Sequence, residues 1–258
     1  MATFEEKRDY YRKVRASNYE ASCRLEGMLP RKQQEEETMF DFNKVRAIGV
    51  TLPVVDDIPN SEGILSYAAR VSSPNNQQNF DTAGKLLQYC VKHKHYSVFE
   101  TCNVVMKIET PRDIARQILR HRSFSFQEFS QRYAEAQKFI TRECRLQDQR
   151  NRQNSFETED KELKEWWESS QKAYLEYAKL IYNRAIEQGI AKEVARVVLP
   201  EGMTVSRMYM KGTVRSWLHF IQVRDDKGVA QKEVVDVARK AKVELLKHFP
   251  FLEEMLEK

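Results

Sequence analysis

The sequence predicts an α+β protein, in which helices flank a small antiparallel sheet. Three short segments alternate polar and apolar residues as half-buried strands do, while longer segments place apolar residues at helical spacing. The chain has no glycine-rich phosphate loop and no G-x-G-x-x-G motif, which argues against a doubly wound dinucleotide fold.

The predicted strands are residues 44–52, 102–109 and 204–210. The first reads KVRAIGVTL and is stopped by Pro53, and the second reads CNVVMKIE. Both have the period of two that a sheet with one buried face requires.

The first half of the chain also predicts three helices. One runs from a cap at Asn60 or Ser61 to Arg70, and another covers 82–92. The third has Thr110 as its N-cap and Pro111 at the first helical position, and it is expected to end at residue 120. Its polar face would carry Gln117 and Arg120 toward the segment that follows.

The second half predicts helices at 166–188, 191–199, 213–223 and 229–249, and a long loop or irregular excursion over 135–165. In the helix 166–188, aromatic and aliphatic residues recur near helical spacing. These are Trp167, Tyr174, Tyr177 and Ile181. Such a stripe is typical of core packing.

Composition limits the protein class. The 258 residues carry a net charge of +5, which favours anionic partners without choosing among them. The four cysteines show no C-x-x-C spacing, and we expect reduced thiols in a cytoplasmic protein with no secretory signal or membrane span.

Residues 1–42 are dense in charge and are predicted to be an extension to a domain spanning 43–258. His93 and His95 lie at i and i+2, which does not suit a metal, and no metal is expected.

The densest functional motif is RHRSFSFQEFSQRY, residues 120–133. Residues 120–132 combine three arginines with a histidine, a carboxylate and three hydroxyls, a set that fits a ligand with several phosphates. A solvated basic face is the simpler interpretation, but exposed faces seldom carry three phenylalanines.

The motif resembles the signature of the flavin-dependent thymidylate synthases (the ThyX family): R-H-R at 120–122, then Ser130 and Arg132. Other blocks in order are also similar to the family: 68–72 (AARVS), 95–100 (HYSVFE), 115–117 (ARQ), 193–200 (EVARVVLP) and 215–224 (RSWLHFIQVR). One departure is Val229, since V-A-Q stands where the family commonly has H-A-Q.

The resemblance implies a reductive methylation of dUMP to dTMP. Methylenetetrahydrofolate would donate the one-carbon group, and FAD reduced by NADPH would supply the hydride. It also implies an α+β homotetramer whose sites lie where subunits meet.

The resemblance further assigns residues to ligands. The expected FAD set is Ser72, His95, Arg120, His121, Arg122, Gln127, Glu128, Arg215 and His219. The expected dUMP set is Gln117, Glu128, Ser130, Arg132, Arg196 and Arg224. Arg224 and Ser130 are the catalytic candidates.

Physical chemistry supports parts of this allocation. A phosphate dianion shielded from water needs more than one guanidinium, as Arg132 and Arg196 would provide. Uracil is a poor electrophile, and the charge of Arg224 would polarise its carbonyls. Ser130 has no histidine beside it in sequence, so it is expected to bind the nucleotide rather than act as a nucleophile.

Two alternatives stay open at this stage. A related flavoenzyme would modify another pyrimidine nucleotide. A basic protein would bind nucleic acid through arginines with nearby aromatics, namely Arg112, Arg116, Arg120, Arg122 and Arg132. The modest charge and the absence of a nucleic-acid signature disfavour the second, so no nucleic-acid partner is expected.

Overall fold

The computed structural model describes residues 42–226 and 228–256. Its centre is a four-stranded antiparallel sheet in the order β1-β2-β6-β3. These strands are β1 (Lys44–Val50), β2 (Asn103–Pro111), β3 (Ser125–Glu128) and β6 (Val205–Thr213). A separate two-stranded sheet pairs β4 (Arg145–Gln147) with β5 (Ser155–Glu157). The predicted α+β class is confirmed.

Helices surround the sheet. The α-helices are α1 (Ser61–Ala69), α2 (Ala83–Lys92), α3 (Arg112–Ile118), α4 (Lys161–Glu187), α5 (Lys192–Ala195), α6 (Val214–Arg224), α7 (Lys232–Leu246) and α8 (Glu253–Leu256). Short 3₁₀ turns occur at Pro74–Asn76, Tyr96–Glu100, Arg196–Val198 and Pro250–Leu252. Among the described helices, none combines the length and apolar character that a membrane span needs.

The core lies between the sheet and helices α6 and α7. Met106 of β2 pairs in register with Met210 of β6, and both side chains are fully buried. Trp217 of α6 is also fully buried, and its indole N–H donates to the Val104 carbonyl at 3.1 Å. That bond satisfies the polar atom of the largest side chain in the core, so its burial carries no penalty for an unpaired donor.

Local signals predicted several element boundaries correctly. The Asn60 side chain accepts from the Gly63 amide at 2.8 Å and caps α1. Thr213 caps α6 in the same way, through the Ser216 amide at 3.2 Å. Both residues supply the acceptor that the first helical amides lack. The three predicted strands are likewise present, and β6 extends to Thr213.

The predicted start of α3 was wrong by one residue. Strand β2 continues through Pro111, which pairs with Val205, so the helix begins at Arg112. Thr110 is fully buried in the strand, and its hydroxyl donates to the Asn43 side chain at 2.6 Å rather than capping the helix. The helix also ends at Ile118, before residue 120.

Other elements lie outside the predicted ones. Strand β3 within the motif was not predicted, and neither was the β4–β5 hairpin, which lies in the region predicted to be a loop or irregular excursion. Helix α4 starts earlier than predicted, at a cap provided by Asp160, and α7 spans less than the predicted 229–249. The predicted extension lies outside the described residues, except for Phe42.

The expectation that the aromatic stripe of α4 is core was also wrong. Of the predicted stripe, Tyr174 and Tyr177 are 54% and 62% exposed, Trp167 is 36% exposed, and Ile181 is half-buried. The neighbouring Trp166 is exposed as well. The buried face of α4 lies on another side of the helix and consists of Gln171, Leu175, Ala178, Tyr182 and Ile186. Helical spacing identifies an apolar stripe, but it does not identify what covers the stripe.

Two helices end in the same backbone motif with different residues. At the end of α2, His95 N–H bonds the Cys90 carbonyl and Lys94 N–H bonds the Val91 carbonyl, with Lys94 in the left-handed region at φ 60°. At the end of α4, Gly189 takes the same place at φ 83°. Glycine is the usual residue there because a Cβ is strained at positive φ.

We predict that Lys94→Gly stabilises the protein by about 0.5–1 kcal/mol, because relief of the left-handed strain exceeds the added freedom of glycine in the unfolded chain. Thermal unfolding should show a midpoint higher by about 1–4 °C. The matched control is Gly189→Ala. A Cβ at this position meets no atom within 4 Å, so the substitution should destabilise the protein only through the strained positive φ. A lower midpoint for Lys94→Gly would contradict this account of the turn.

Candidate functional site

The motif crosses one edge of the central sheet. After α3 the chain turns at residues 119–124, forms β3 beside β6, and turns again at Ser130. Strand β6 leads directly into α6 through Thr213. The fold therefore brings the motif next to the side chains of α6, which are about ninety residues away in sequence.

The closest contact between the two parts joins Arg224 to His121. The Arg224 Nε donates to His121 Nε2 at 2.8 Å, and the imidazole packs edge-on against Phe220 at 5.0 Å between ring centres. An imidazole that accepts at Nε2 carries its proton on Nδ1 and is neutral. Burial, followed by the charges of Arg224, His219 and Arg120, lowers the His121 pKa to about 4.

Arg224 itself is half-buried at the C-terminus of α6. Burial and the nearby charge of Arg120 lower its pKa, although a guanidinium stays protonated at any physiological pH. A fixed cation in such surroundings can stabilise negative charge on a ligand more strongly than it could in water.

An amide pair lies between α3 and α7. Gln117 Nε2 donates to Gln231 Oε1 at 2.7 Å, and both side chains are half-buried. The resemblance named Gln117 as a nucleotide ligand, whereas Gln231 was not among the predicted site residues.

Glu128 is held by groups from two other elements. Ser206 of β6 donates its hydroxyl to Glu128 Oε1 at 2.7 Å, and Arg112 of α3 lies 3.6 Å from the same oxygen. These partners fix the carboxylate at the end of β3.

Two arginines that are predicted to bind phosphate, Arg132 and Arg196, both contact Glu193. Arg132 pairs with the Glu193 carboxylate at 3.0 Å, and Arg196 Nε donates to the Glu193 carbonyl at 3.3 Å. The Ser130 hydroxyl accepts from the Arg132 amide at 3.3 Å. The Arg132–Glu193 pair is more than half exposed, so it is worth less than about 1 kcal/mol, and a dianionic ligand can displace it.

A cleft of about 360 Å³ opens beside the motif. Arg215 forms one wall, where it pairs with Glu100 at 2.9 Å and lies over the Tyr96 ring at 5.9 Å. His219 lines the same cleft one helical turn further along α6, together with Ser123 of the motif. The cleft offers an aromatic face and a cation to a planar or phosphorylated ligand.

A second cavity, of about 530 Å³, contains Ser72 with Arg70, Lys85 and Tyr89 among its lining residues. His95 lies beside it, 6.1 Å from the Tyr89 ring, and immediately precedes the 3₁₀ turn that carries Tyr96 and Glu100. Of these two cavities, Ser72 therefore lines one, and Arg215 and His219 line the other.

The remaining predicted residues are less tightly placed. Arg120, Arg122 and Gln127 are exposed and line neither of these two cavities. The residues that sequence reasoning missed are partners of the predicted ones: Tyr96, Glu100, Arg112, Glu193, Ser206 and Gln231. Tyr96, Glu100 and Glu193 stand inside the blocks that resemble the family, and Gln231 ends the V-A-Q segment, so these residues had a sequence signal. Ser206 had none.

Comparison with known proteins gives an independent view of the chain. A family model described as "Thymidylate synthase complementing protein" matches residues 53–251, and a model described as "YhfG" matches residues 1–41. A flavin-dependent thymidylate synthase of Synechocystis is 48% identical over 83% of this chain and 99% of its own. A probable flavin-dependent thymidylate synthase of Paramecium bursaria Chlorella virus 1 is 45% identical over 82% and 98%.

A solved structure is also similar. It is the UMP/dUMP methylase PolB from Streptomyces cacaoi bound with 5-Br dUMP, with a TM-score of 0.67 and 27% identity. The match covers 82% of this chain and 93% of that one.

The His121 contact predicts a pH dependence. Because the His121 pKa falls from 6.5 in the unfolded chain to about 4 on folding, the unfolded chain takes up a proton first as the pH drops. The contribution of neutral His121 to the free energy of unfolding is complete above about pH 6.5 and is lost as the pH falls toward 4. We predict that His121→Gln, which keeps an acceptor for Arg224, loses less stability over this range than the wild type.

Denaturant unfolding at a series of pH values would measure this. His248→Gln is the matched control, since His248 is exposed outside the site, and it should follow the wild type. Parallel losses in His121→Gln and the wild type would contradict a neutral His121.

Proposed function

Since the chain belongs to the flavin-dependent thymidylate synthase family, we propose that the region around His121, Arg215 and Arg224 is where it carries out the family's reaction. That reaction is the reductive methylation of dUMP to dTMP, with FAD as cofactor and with methylenetetrahydrofolate and NADPH as co-substrates. The His121–Arg224 contact supports this location most directly, because it joins the family motif to the cationic end of α6.

The residues present fit a flavin. The cleft combines the aromatic face of Tyr96, the guanidinium of Arg215 and the imidazole of His219. The proposed FAD set is Ser72, His95, Arg120, His121, Arg122, Gln127, Glu128, Arg215 and His219. When bound, FAD supplies the redox chemistry, taking electrons from NADPH for the reduction that completes the methyl group.

The proposed nucleotide site is formed by a second set of residues. Arg132 and Arg196 converge on Glu193 and would exchange that weak surface pairing for the dUMP phosphate. Ser130, Glu128 and Gln117 would add hydrogen bonds to the sugar or base.

Arg224 is the proposed catalytic cation. Its Nε is occupied by neutral His121, which leaves the other N–H groups of the guanidinium for the uracil carbonyls. Charge that develops on the ring as the new bond forms would be stabilised there. Ser130 acts in this proposal as a binding hydroxyl, since its described contact is to a backbone amide rather than to a base.

We also propose that the protein assembles as a homotetramer with sites between subunits. A cleft of about 360 Å³ holds only part of a molecule as large as FAD, and Ser72 lies in a different cavity of the same chain. A second chain would complete the site. The exposed aromatic stripe of α4 supports self-association, because monomers rarely leave several large aromatics on one surface.

A second pyrimidine nucleotide is a candidate substrate. The similar PolB structure is of a UMP/dUMP methylase, so UMP is the specific alternative. Turnover of equal concentrations of dUMP and UMP would distinguish them, and a higher kcat/KM for UMP would overturn the assignment of dUMP.

We predict that Arg224→Ala keeps the fold and bound FAD but lowers dTMP formation by about 100-fold or more, because the charge facing the uracil is lost. Flavin absorbance and circular dichroism would check the first part, and product analysis the second. Arg46→Ala is the control, since Arg46 is exposed on β1 away from the motif. Full activity in Arg224→Ala would refute the nucleotide site.

We predict that Tyr177→Glu shifts the protein from tetramer to smaller species, because a carboxylate on the α4 stripe cannot be desolvated at low cost. Light scattering coupled to gel filtration would measure the mass. Glu176→Ala, on the polar flank of the same helix, should leave the mass unchanged. An unaltered mass for Tyr177→Glu would show that assembly does not use this face.

A further inference from the structure

The amide pair Gln117–Gln231 joins two helices beside the proposed nucleotide site. Gln117 lies in the last turn of α3, and Gln231 is the N-cap residue of α7. Although Gln231 occupies a capping position, its side chain does not cap α7 and instead accepts from Gln117. The contact therefore has to be explained by something other than the start of the helix.

We propose that Gln231 is a positioning residue that fixes the amide of Gln117 for the nucleotide. The bond from Gln117 Nε2 to Gln231 favours one orientation of the Gln117 amide, and with it one direction for the carbonyl oxygen and the second N–H. A ligand then meets a prearranged donor and acceptor, which reduces the entropy lost on binding. The inference rests on the proposed contact between Gln117 and dUMP.

An ion cluster, buried at Glu233 and half-buried at Asp113, connects the same two helices as the amide pair. Arg142 lies 2.7 Å from Asp113 and 3.0 Å from Glu233. Asp113 is one turn before Gln117 on α3, and Glu233 follows Gln231 by two residues on α7. One guanidinium thus sets the separation of the two helices that carry the amides.

Glu233 is held especially firmly. It is only 6% exposed, and Arg145 adds a second pairing at 2.6 Å. Burial would raise its pKa, but Arg142 and Arg145 outweigh burial and hold the pKa below its usual value. Loss of either arginine would leave a buried charge poorly compensated, so this cluster resists displacement.

The β4–β5 hairpin holds the segment that leads to Gln231. Asn151 at its tip donates to the Gly228 carbonyl at 3.0 Å, and Lys232 pairs with Glu143 and Glu157 on either side of the hairpin at 2.8 and 2.7 Å. These contacts lie before and after Gln231, which fixes its backbone from both directions.

A double-mutant cycle tests the proposal. Calorimetry would measure dUMP binding to the FAD-loaded wild type, Gln117→Met, Gln231→Met and the double variant, since methionine keeps the volume of glutamine without its amide. We expect each single variant to bind dUMP about 5- to 10-fold more weakly, as loss of one oriented hydrogen bond implies. The double variant should bind no more weakly than Gln117→Met, because Gln231 acts through Gln117.

The possible results separate the two proposals. If the losses of dUMP affinity in the two single variants add up in the double variant, the positioning role is overturned. It is also overturned if Gln117→Met binds dUMP more weakly while Gln231→Met binds it as the wild type does. Neither result contradicts the nucleotide site. Wild-type affinity in Gln117→Met would overturn the nucleotide contact itself and the positioning role with it. Gln188→Met, at the exposed end of α4, is the control for substitution alone and should bind dUMP as the wild type does.

Asn151→Ala provides a variant outside the amide pair. Removing its bond to Gly228 should weaken dUMP binding by about two- to threefold in the wild-type background and leave binding unchanged in Gln231→Met. An equal loss in both backgrounds would show that the hairpin acts by some route other than Gln231, and would overturn that part of the proposal.

Discussion

A guanidinium that donates to a neutral imidazole connects the two halves of this site. If His121 were protonated, it would lose its acceptor at Nε2 and repel Arg224. Burial and the surrounding positive charge keep His121 neutral. The nearby cations repel one another, but they also favour the neutral imidazole that can accept from Arg224. The placement of Arg224, and with it the proposed recognition of uracil, depends on this contact.

Strand β6 is what makes the contact possible. It pairs with β2 on one side and with β3 on the other, and α6 follows it without a loop. The pairing of β3 with β6 aligns the motif with the strand that precedes Arg224, while the buried Trp217 locks α6 onto β2. Strand register and core packing thus bring His121 and Arg224 into contact, although they are far apart in sequence.

The parts that sequence predicted are those with local causes. Asn60 and Thr213 cap helices by bonds within three residues, and alternation revealed β1 and β2. Thr110 misled because strand pairing with β6 prevailed over its capping propensity. The family resemblance named the cationic residues, but the Gln117–Gln231 pair spans more than a hundred residues and no local pattern could reveal it. The prediction for the α4 stripe failed for a related reason, since helical spacing does not distinguish a buried apolar face from an exposed one.

The most direct measurement is tritium release from dUMP labelled at C5, since methylation must remove the hydrogen at that carbon. The account predicts release only when the protein is supplied with FAD, NADPH and methylenetetrahydrofolate together. Release in the absence of FAD, or none from protein that holds FAD and binds dUMP, would contradict it.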